Sequence, residues 1–151
     1  MKIWVDADAA PKDVKDVVCR AAQRLGIPAV LVANRRLSSP LNNPLVSTIL
    51  VQGGPDAADR HIIQESDTGD VVITADVPLA AELVARDVIV LDTRGELLDA
   101  DNVRERLSVR DFMESLRGAG VETGGAAPWS PRDKQAFAAA LDRVLTRAMR
   151  R

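Results

Sequence analysis

The feature that most constrains the fold of this chain is the alternation of short apolar runs with helical patterns over its first two thirds. Runs rich in aliphatic and β-branched residues predict strands at residues 3–5, 29–32, 47–51, 71–74 and 88–91. Because these runs are apolar almost throughout, we expect a sheet that is covered on both faces. Strands that alternate with helices predict a mostly parallel sheet with right-handed crossovers.

Helical spacing and helix boundary residues predict helices at residues 11–25, 57–65, 78–86, 102–116 and 132–149. Strands and helices together indicate an α/β fold. We expect a three-layer α/β/α sandwich with a central, mostly parallel sheet, in a single domain over residues 1–151. Two segments have an irregular composition, at residues 34–44 and 118–131, and such loops are often functional.

Composition favours a cytoplasmic protein and argues against several kinds of site. Hydrophobic residues make up 46% and charged residues 28% of the 151 residues, as in globular proteins. Cys19 is the only cysteine and is expected in the core, and no Cys/His cluster would bind zinc. Asp6 comes too early for a signal peptide, and no apolar run is long enough to span a membrane. The single histidine, His61, is expected on the surface rather than as a general base.

Aspartates at the predicted carboxyl edge of the sheet are the main candidate site, because ligands of open parallel sheets bind there. These aspartates follow the first, third and fourth strands, and they are Asp6, Asp8, Asp56, Asp59 and Asp76. Crowded carboxylates need a neutralising charge, which a divalent cation such as Mg²⁺ or Mn²⁺ with oxygen ligands would supply. Such a cation polarises phosphates and activates water, which suits phosphodiester hydrolysis.

A purely structural role is an alternative explanation for these aspartates, and it is stronger for some of them than for others. Asp56, Asp59 and Asp76 stand where an aspartate caps a helix or stabilises its first turn. Asp6 and Asp8 directly end a buried strand and have no capping role to fill. Among the five aspartates, Asp6 and Asp8 therefore favour a functional interpretation most strongly.

Two loop motifs are candidates for contact with a phosphate. Thr123, Gly124 and Gly125 would expose backbone N–H groups to an anion, although they lack the complete phosphate-loop pattern. Arg35 and Arg36 form a basic pair that would suit a phosphate, but paired arginines are also common in ordinary loops.

Arginines in the second half of the chain are further sources of positive charge near a substrate. These residues are Arg94, Arg110 and Arg132. Salt bridges to neighbouring acids such as Asp111 and Asp133 are the plainer explanation for them.

Blocks of sequence over nearly the whole chain carry a clear resemblance to a known family. They lie at residues 3–9, 32–34, 54–59, 73–81, 94–96, 110–113, 123–125 and 132–137. These blocks resemble the signature blocks of the bacterial YaiI/YqxD family, and they are too long for a chance match. The resemblance identifies relatives without supplying an activity.

The acids themselves carry a more distant resemblance to the PIN-like nuclease superfamily. The Asp6-x-Asp8 pair, the Asp56-x-x-Asp59 pair and Thr74-x-Asp76 are similar to its acidic pattern. This resemblance implies a PIN-like domain and a metal-dependent nuclease, often active on RNA, with carboxylates around Mg²⁺ or Mn²⁺.

Carried over residue by residue, the resemblance assigns Asp6, Asp59 and Asp76 as the catalytic and metal-binding acids. The residues expected in support are Asp8, Asp56, Asn34, Thr74, Arg94 and Arg110. The residues expected to bind phosphate are Thr123, Gly124, Gly125 and Arg132.

The chain departs from the pattern of the YaiI/YqxD family at two positions. Ala10 stands where relatives usually carry a cysteine before proline, and Asp92 stands where they usually carry asparagine. Chemistry that needs the thiol is therefore absent, whereas a carboxylate mechanism is unaffected.

The sequence thus predicts a metal-dependent nuclease with RNA or another phosphate-bearing substrate, and no membrane partner. A nucleotide phosphatase would use the same site. The alternative is a non-catalytic nucleic-acid or nucleotide binding module of the same fold. The net charge of −2 and the aromatic content of 3% favour this alternative, because a nuclease usually displays a clearer basic surface.

Overall fold

The structure, a computed structural model, describes residues 1–37, 43–54, 56–125 and 127–150. Within these residues a six-stranded sheet consists of β1 (Ile3–Asp6), β2 (Ala29–Ala33), β3 (Val46–Leu50), β4 (Val71–Ile73), β5 (Ile89–Leu91) and β6 (Leu97–Leu98). Their order across the sheet is β3-β2-β1-β4-β5-β6. Neighbouring strands are parallel except for β5 and β6, so the predicted, mostly parallel sheet is confirmed.

Helices cover both faces of this sheet. They are α1 (Lys12–Leu25), α2 (Ala57–Glu65), α3 (Val77–Ala85), α4 (Ala100–Gly118) and α5 (Pro131–Met149). Val18 of α1 and Phe137 of α5 share a hydrophobic cluster with Val5 of β1. Trp4, the preceding strand residue, faces the other cluster, to which α2, α3 and α4 contribute. The predicted three-layer α/β/α sandwich is therefore confirmed.

Burial on both faces holds for the central strands but not for the edge. Every residue of β1, β2 and β4 is buried, as a strand between two helical layers requires. The prediction of a buried third strand is wrong, because Ser47, Thr48 and Leu50 of β3 are exposed. β3 lies at the edge of the sheet, where polar side chains can face solvent.

Helix α1 illustrates how local sequence defines an element. Val14, Val18 and Ala22 lie four residues apart, Ala21 lies three residues after Val18, and all four are buried on one face of the helix. Gly26 ends α1 in a left-handed conformation with φ of 68°, and its N–H donates to the carbonyl of Ala22. Only glycine adopts this conformation without a steric penalty.

Several predicted boundaries need correction. The strand β6 was not expected, because two residues are too few for a recognisable pattern, and α4 begins at Ala100 rather than Asn102. Some residues of the segments and motifs singled out from the sequence lie outside the described residues. They are residues 38–42, Pro55, Ala126 and Arg151.

The order of the strands changes direction where the candidate site was expected. The chain runs outward from β1 to β2 and β3, and then crosses to β4 on the other side of β1. The carboxyl ends of β1 and β4 are therefore a topological switch point, where open α/β sheets bind ligands. Among the described helices, none combines the length and apolarity that crossing a membrane requires.

Candidate functional site

Asp6 and Thr74 meet at the switch point. Val5 of β1 is paired with Ile73 of β4, so the next residue of each strand emerges at the same edge. The hydroxyl of Thr74 donates to Oδ2 of Asp6 at 3.0 Å, and both side chains are buried. The parallel register therefore brings together two side chains that are 68 positions apart.

Asp76 is held beside this pair by its own helix. Its backbone N–H donates to the hydroxyl oxygen of Thr74 at 3.0 Å, and its Oδ1 accepts from the N–H of Leu79 at 2.8 Å. Asp76 is thus the N-cap of α3, as the structural alternative predicted. The cap uses one carboxylate oxygen and does not separate Asp76 from its acidic neighbours.

Asp59 reaches the same place from the first turn of α2. Burial, followed by the charges of Asp76, Asp6 and Asp56 and a hydrogen bond with Asp76, raises the pKa of Asp59 from 3.8 to about 7. Asp56 occupies the N-cap position of α2, but its side chain makes no capping hydrogen bond. We call Asp6, Asp59 and Asp76 the acidic cluster.

The pKa of Asp6 is also raised above 3.8. Burial is the largest cause, the hydrogen bond from Thr74 opposes it, and the charges of Asp76 and Asp8 add to it. The charges of Asp6, Asp59 and Asp76 therefore influence one another.

Asp8 has partners of a different kind. Its Oδ2 accepts from the backbone N–H of Asn34 at 2.6 Å, and its Oδ1 lies 3.8 Å from Nε of Arg35. Asp8 therefore ties the connection after β1 to the residues that follow β2. Asn34 contributes to the site through its backbone.

The acidic cluster fits a hard cation by the chemistry of its donors. All three side chains are carboxylates, and none of the ion pairs between described residues involves Asp6, Asp59 or Asp76. As the side chains stand, however, no group of three or more Asp, Glu, His or Cys residues in the described ranges is arranged to hold a metal ion. A complete ligand set would need side-chain rotation and loss of the proton from Asp59.

Arg94 and Arg110 have acidic partners of their own. Nη1 of Arg94 lies 3.1 Å from Oδ2 of Asp133, and Arg94 also donates to the carbonyl of Ala127. Arg110 lies 4.0 Å from Asp111 and 3.6 Å from Glu114. The plainer interpretation, salt bridges with nearby acids, is therefore confirmed for these two arginines.

The predicted phosphate-binding residues lie in and after the loop that follows α4. Nη1 of Arg117 donates to the hydroxyl of Thr123 at 3.3 Å, and Gly124 and Gly125 are exposed. Arg132 is exposed in the first turn of α5. Their role in binding phosphate stays a prediction.

Ala10 and Asp92, the two positions that depart from the family pattern, both have contacts that stabilise the fold. Ala10 belongs to the hydrophobic cluster under α1 and α5. Asp92 is buried and accepts from the N–H groups of Arg94 and Glu96 at 2.9 and 2.8 Å, and from Arg106 at 2.9 Å. Asp92 therefore stabilises the turn between β5 and β6 and does not belong to the acidic cluster.

The prediction for Cys19 is confirmed, whereas the prediction for His61 is wrong. Cys19 is buried, as expected for a core residue. The surface position expected for His61 is wrong, because its ring is partly buried with its centroid 6.1 Å from that of Trp4. Trp4 occupies the space beside α2, and a lone histidine in a sequence carries no signal for such a neighbour.

Two lysines near the site were not singled out from the sequence. Lys12 and Lys15 lie in the first turn of α1 and line a cavity beside Arg35 and Arg36. Their spacing of three residues, which places them on one side of a helix, was the available signal. The partner arginines come from a different segment, so the sequence alone does not join the two pairs.

A family model and several related proteins are similar to this chain over almost its complete length. The family model described as "Uncharacterized BCR, YaiI/YqxD family" matches residues 4–147. The chain is 53% identical to a UPF0178 protein of Myxococcus xanthus and 51% identical to one of Trichlorobacter lovleyi, each over 99% of this chain and 97% of the relative. It is 50% identical to a UPF0178 protein of Shewanella amazonensis, over 97% of this chain and 98% of the relative. No solved structure matches.

Proposed function

Because this chain belongs to the YaiI/YqxD family, whose description names no activity, we propose its function from the site: a metal-dependent nuclease that hydrolyses phosphodiester bonds of single-stranded RNA at the acidic cluster. The observation that carries the proposal is that acids from separate elements meet at one place, where Thr74 hydrogen-bonds both to Asp6 and to the N–H of Asp76. Burial and these two neighbouring charges raise the pKa of Asp59 to about 7. Carboxylates from three segments crowd together, and within the described ranges none of them forms an ion pair with a basic side chain. Such crowding is costly unless a cation joins the carboxylates. The acidic pattern similar to that of PIN-like nucleases supports the same chemistry.

Each side chain of the cluster has a distinct part in this proposal. The hydroxyl of Thr74 orients the carboxylate of Asp6, and the N–H of Leu79 fixes that of Asp76. Asp59, with a pKa of about 7, gains or loses its proton at neutral pH. Bound Mg²⁺ or Mn²⁺ would supply polarisation of the phosphate and a water of lowered pKa. Asp6, Asp59 and Asp76 would hold this ion, because carboxylates attract a hard cation and repel a phosphate.

Cleavage of single-stranded RNA by the purified protein with Mn²⁺ tests the proposal. We expect Mn²⁺-dependent cleavage that the double substitution Asp6→Asn, Asp76→Asn abolishes. Asparagine keeps the shape of the side chain, and it still caps α3, so the fold should be retained. Circular dichroism and thermal unfolding would confirm that it is.

A matched control removes the same charge from elsewhere. Asp101 and Asp111 are exposed residues of α4, and Asp101→Asn, Asp111→Asn should cleave at the wild-type rate. Cleavage that persists in the Asp6, Asp76 double variant would come from a contaminant and would contradict the proposal.

A non-catalytic module that binds nucleic acid or nucleotides is the second candidate. The specific observation in its favour is that no group of three metal-binding side chains is preformed in the described residues. Calorimetry with RNA or a nucleotide in the presence of Mn²⁺ distinguishes the two functions. Binding without any cleavage would support the module and would contradict the nuclease.

A further inference from the structure

A basic cavity lies at the same edge of the sheet as the acidic cluster. Its volume is about 360 Å³, and it is lined by Lys12, Lys15, Asp16, Leu31, Arg35, Arg36 and Leu37. The first three residues belong to α1, Leu31 belongs to β2, and the others follow β2. The cavity is therefore on the side of the sheet that α1 covers, whereas Asp59 approaches from α2 on the other side. We call it the basic cavity.

Contacts of the lining residues join the basic cavity to the acidic cluster. Nζ of Lys15 donates to the carbonyl of Ala7 at 3.5 Å, and Nε of Arg35 lies 3.8 Å from Asp8. Ala7 and Asp8 directly follow Asp6 along the chain. A chain-like ligand that enters the cavity would thus reach the acids by crossing the short connection after β1.

The charges in the cavity are unbalanced. Four cationic side chains line it against one carboxylate, Asp16. Among the described residues, neither Lys12 nor Arg36 has a carboxylate within ion-pair distance. Like charges around one cavity repel each other, and an anion in the cavity would remove that cost.

The placement of the lysines is unfavourable for the helix itself. Lys12 and Lys15 lie in the first turn of α1, where the helix dipole favours acidic side chains such as Asp13 of the same turn. The N-cap residue, Pro11, makes no side-chain capping hydrogen bond. The positive end of the α1 dipole and the two lysines therefore lie at the same end of the helix, and phosphate groups bind at such helix ends.

We propose that the basic cavity binds the terminal phosphate of a single-stranded RNA, whose chain then crosses the connection after β1 to the acidic cluster. This substrate assignment rests on the proposed nuclease function. A terminal phosphate carries close to two negative charges at neutral pH, whereas each internal phosphate carries one. The excess of positive charge in the cavity therefore favours an end of the strand over its interior.

Fluorescence anisotropy with labelled short RNAs tests the proposal, with EDTA present to prevent cleavage. The probes have the same sequence and carry a 5′-phosphate, a 3′-phosphate or hydroxyl groups at both ends. We expect one of the phosphorylated probes to bind about tenfold more tightly than the hydroxyl probe, because charge-assisted hydrogen bonds are among the stronger ones. The substitution Lys12→Ala, Arg36→Ala should make all three affinities equal.

A control variant separates the cavity from general attraction between charges. Arg20 of α1 and Arg143 of α5 are exposed and do not line the cavity, so Arg20→Ala, Arg143→Ala removes the same charge. This control should keep the preference for a phosphorylated end at the same salt concentration. Equal affinities in the wild type, a preference that survives Lys12→Ala, Arg36→Ala, or a preference lost in the control would each overturn the proposal. Because binding is measured without metal, failure to cleave RNA would contradict the nuclease alone.

Discussion

Partly or fully buried carboxylates in this protein behave differently according to their partners. Asp70 is buried but accepts from the N–H groups of Lys2 and Asp67 at 3.0 and 2.9 Å, and from Nε1 of Trp4 at 3.0 Å. These donors satisfy Asp70 as a structural residue. Asp59 instead faces other carboxylates, and its pKa is raised to about 7. The hydrogen-bond donors and charges around a buried carboxylate thus separate a structural acid from a candidate functional one.

The raised pKa of Asp59 predicts how stability depends on pH. In the unfolded chain its pKa is 3.8, so between 3.8 and about 7 the folded state binds more protons than the unfolded state. The free energy of unfolding contributed by Asp59 is therefore largest below that interval and falls as pH rises through it. Asp59→Asn, which cannot ionise, should lose less stability than the wild type across this interval.

Urea unfolding at pH values below and above the interval measures this difference. Asp6 shifts in the same direction, so the variant should retain part of the dependence. Asp101→Asn, at an exposed position on α4, is the control and should follow the wild type. Identical pH profiles for Asp59→Asn and the wild type would show that Asp59 is not perturbed.

At the scale of elements, the turn between β5 and β6 is packed closely against α5. Nε1 of Trp129 donates to the carbonyl of Thr93 at 2.8 Å, just before α5 begins. Gly95 has φ of 91°, and a Cβ atom there would lie 2.6 Å from the carbonyl oxygen of Ala136. Both the backbone conformation and the contact with α5 therefore require glycine at this position.

Gly95→Ala should reduce the free energy of unfolding by about 1–3 kcal/mol or more, because it combines backbone strain with a clash against helix backbone. Gly118→Ala is the matched control, since Gly118 has no atom within 4 Å of an added Cβ and has no positive φ. The control should be neutral or slightly stabilising at the end of α4. Both are measured by urea unfolding, and equal stabilities would contradict the packing argument.

At the scale of the whole molecule, folding creates the acidic cluster. Asp6, Asp59 and Asp76 come from the ends of β1 and β4 and from α2, and they are far apart in an unfolded chain. A cation that bridges them would bind the folded state and have little affinity for the unfolded state. Such binding must raise the stability of the fold.

We therefore expect Mn²⁺ to increase the melting temperature. At a Mn²⁺ concentration one hundred times the Kd, the free energy of unfolding should increase by about 2.7 kcal/mol. The increase should be larger above than below the pKa of Asp59, about 7, because binding requires the ionised carboxylate. EDTA should reverse it, and Asp6→Asn, Asp76→Asn should abolish it. Differential scanning calorimetry measures the effect, and a melting temperature unchanged by Mn²⁺ would argue against a metal site.

Much of this architecture could be predicted because its signals are local. Apolar runs and helical spacing predict the five parallel strands and five helices, because side chains two, three or four positions apart share a face. The positions of Asp6 and Asp76 follow from the same patterns, since Asp6 ends β1 and Asp76 lies three residues after the end of β4. The antiparallel strand Leu97–Leu98 could not be predicted, because two residues are too few to show the alternation of a strand.

The sequence by itself determined the layers, the parallel sheet and the acids at its carboxyl edge. Tertiary structure alone decided which of those acids interact, because the strand order places β4 beside β1 and so brings Thr74 to Asp6. It also decided the raised pKa of Asp59 and the joining of Lys12 and Lys15 with Arg35 and Arg36. The physical reason is that charge interactions and burial depend on distances across the fold, which local periodicity does not encode.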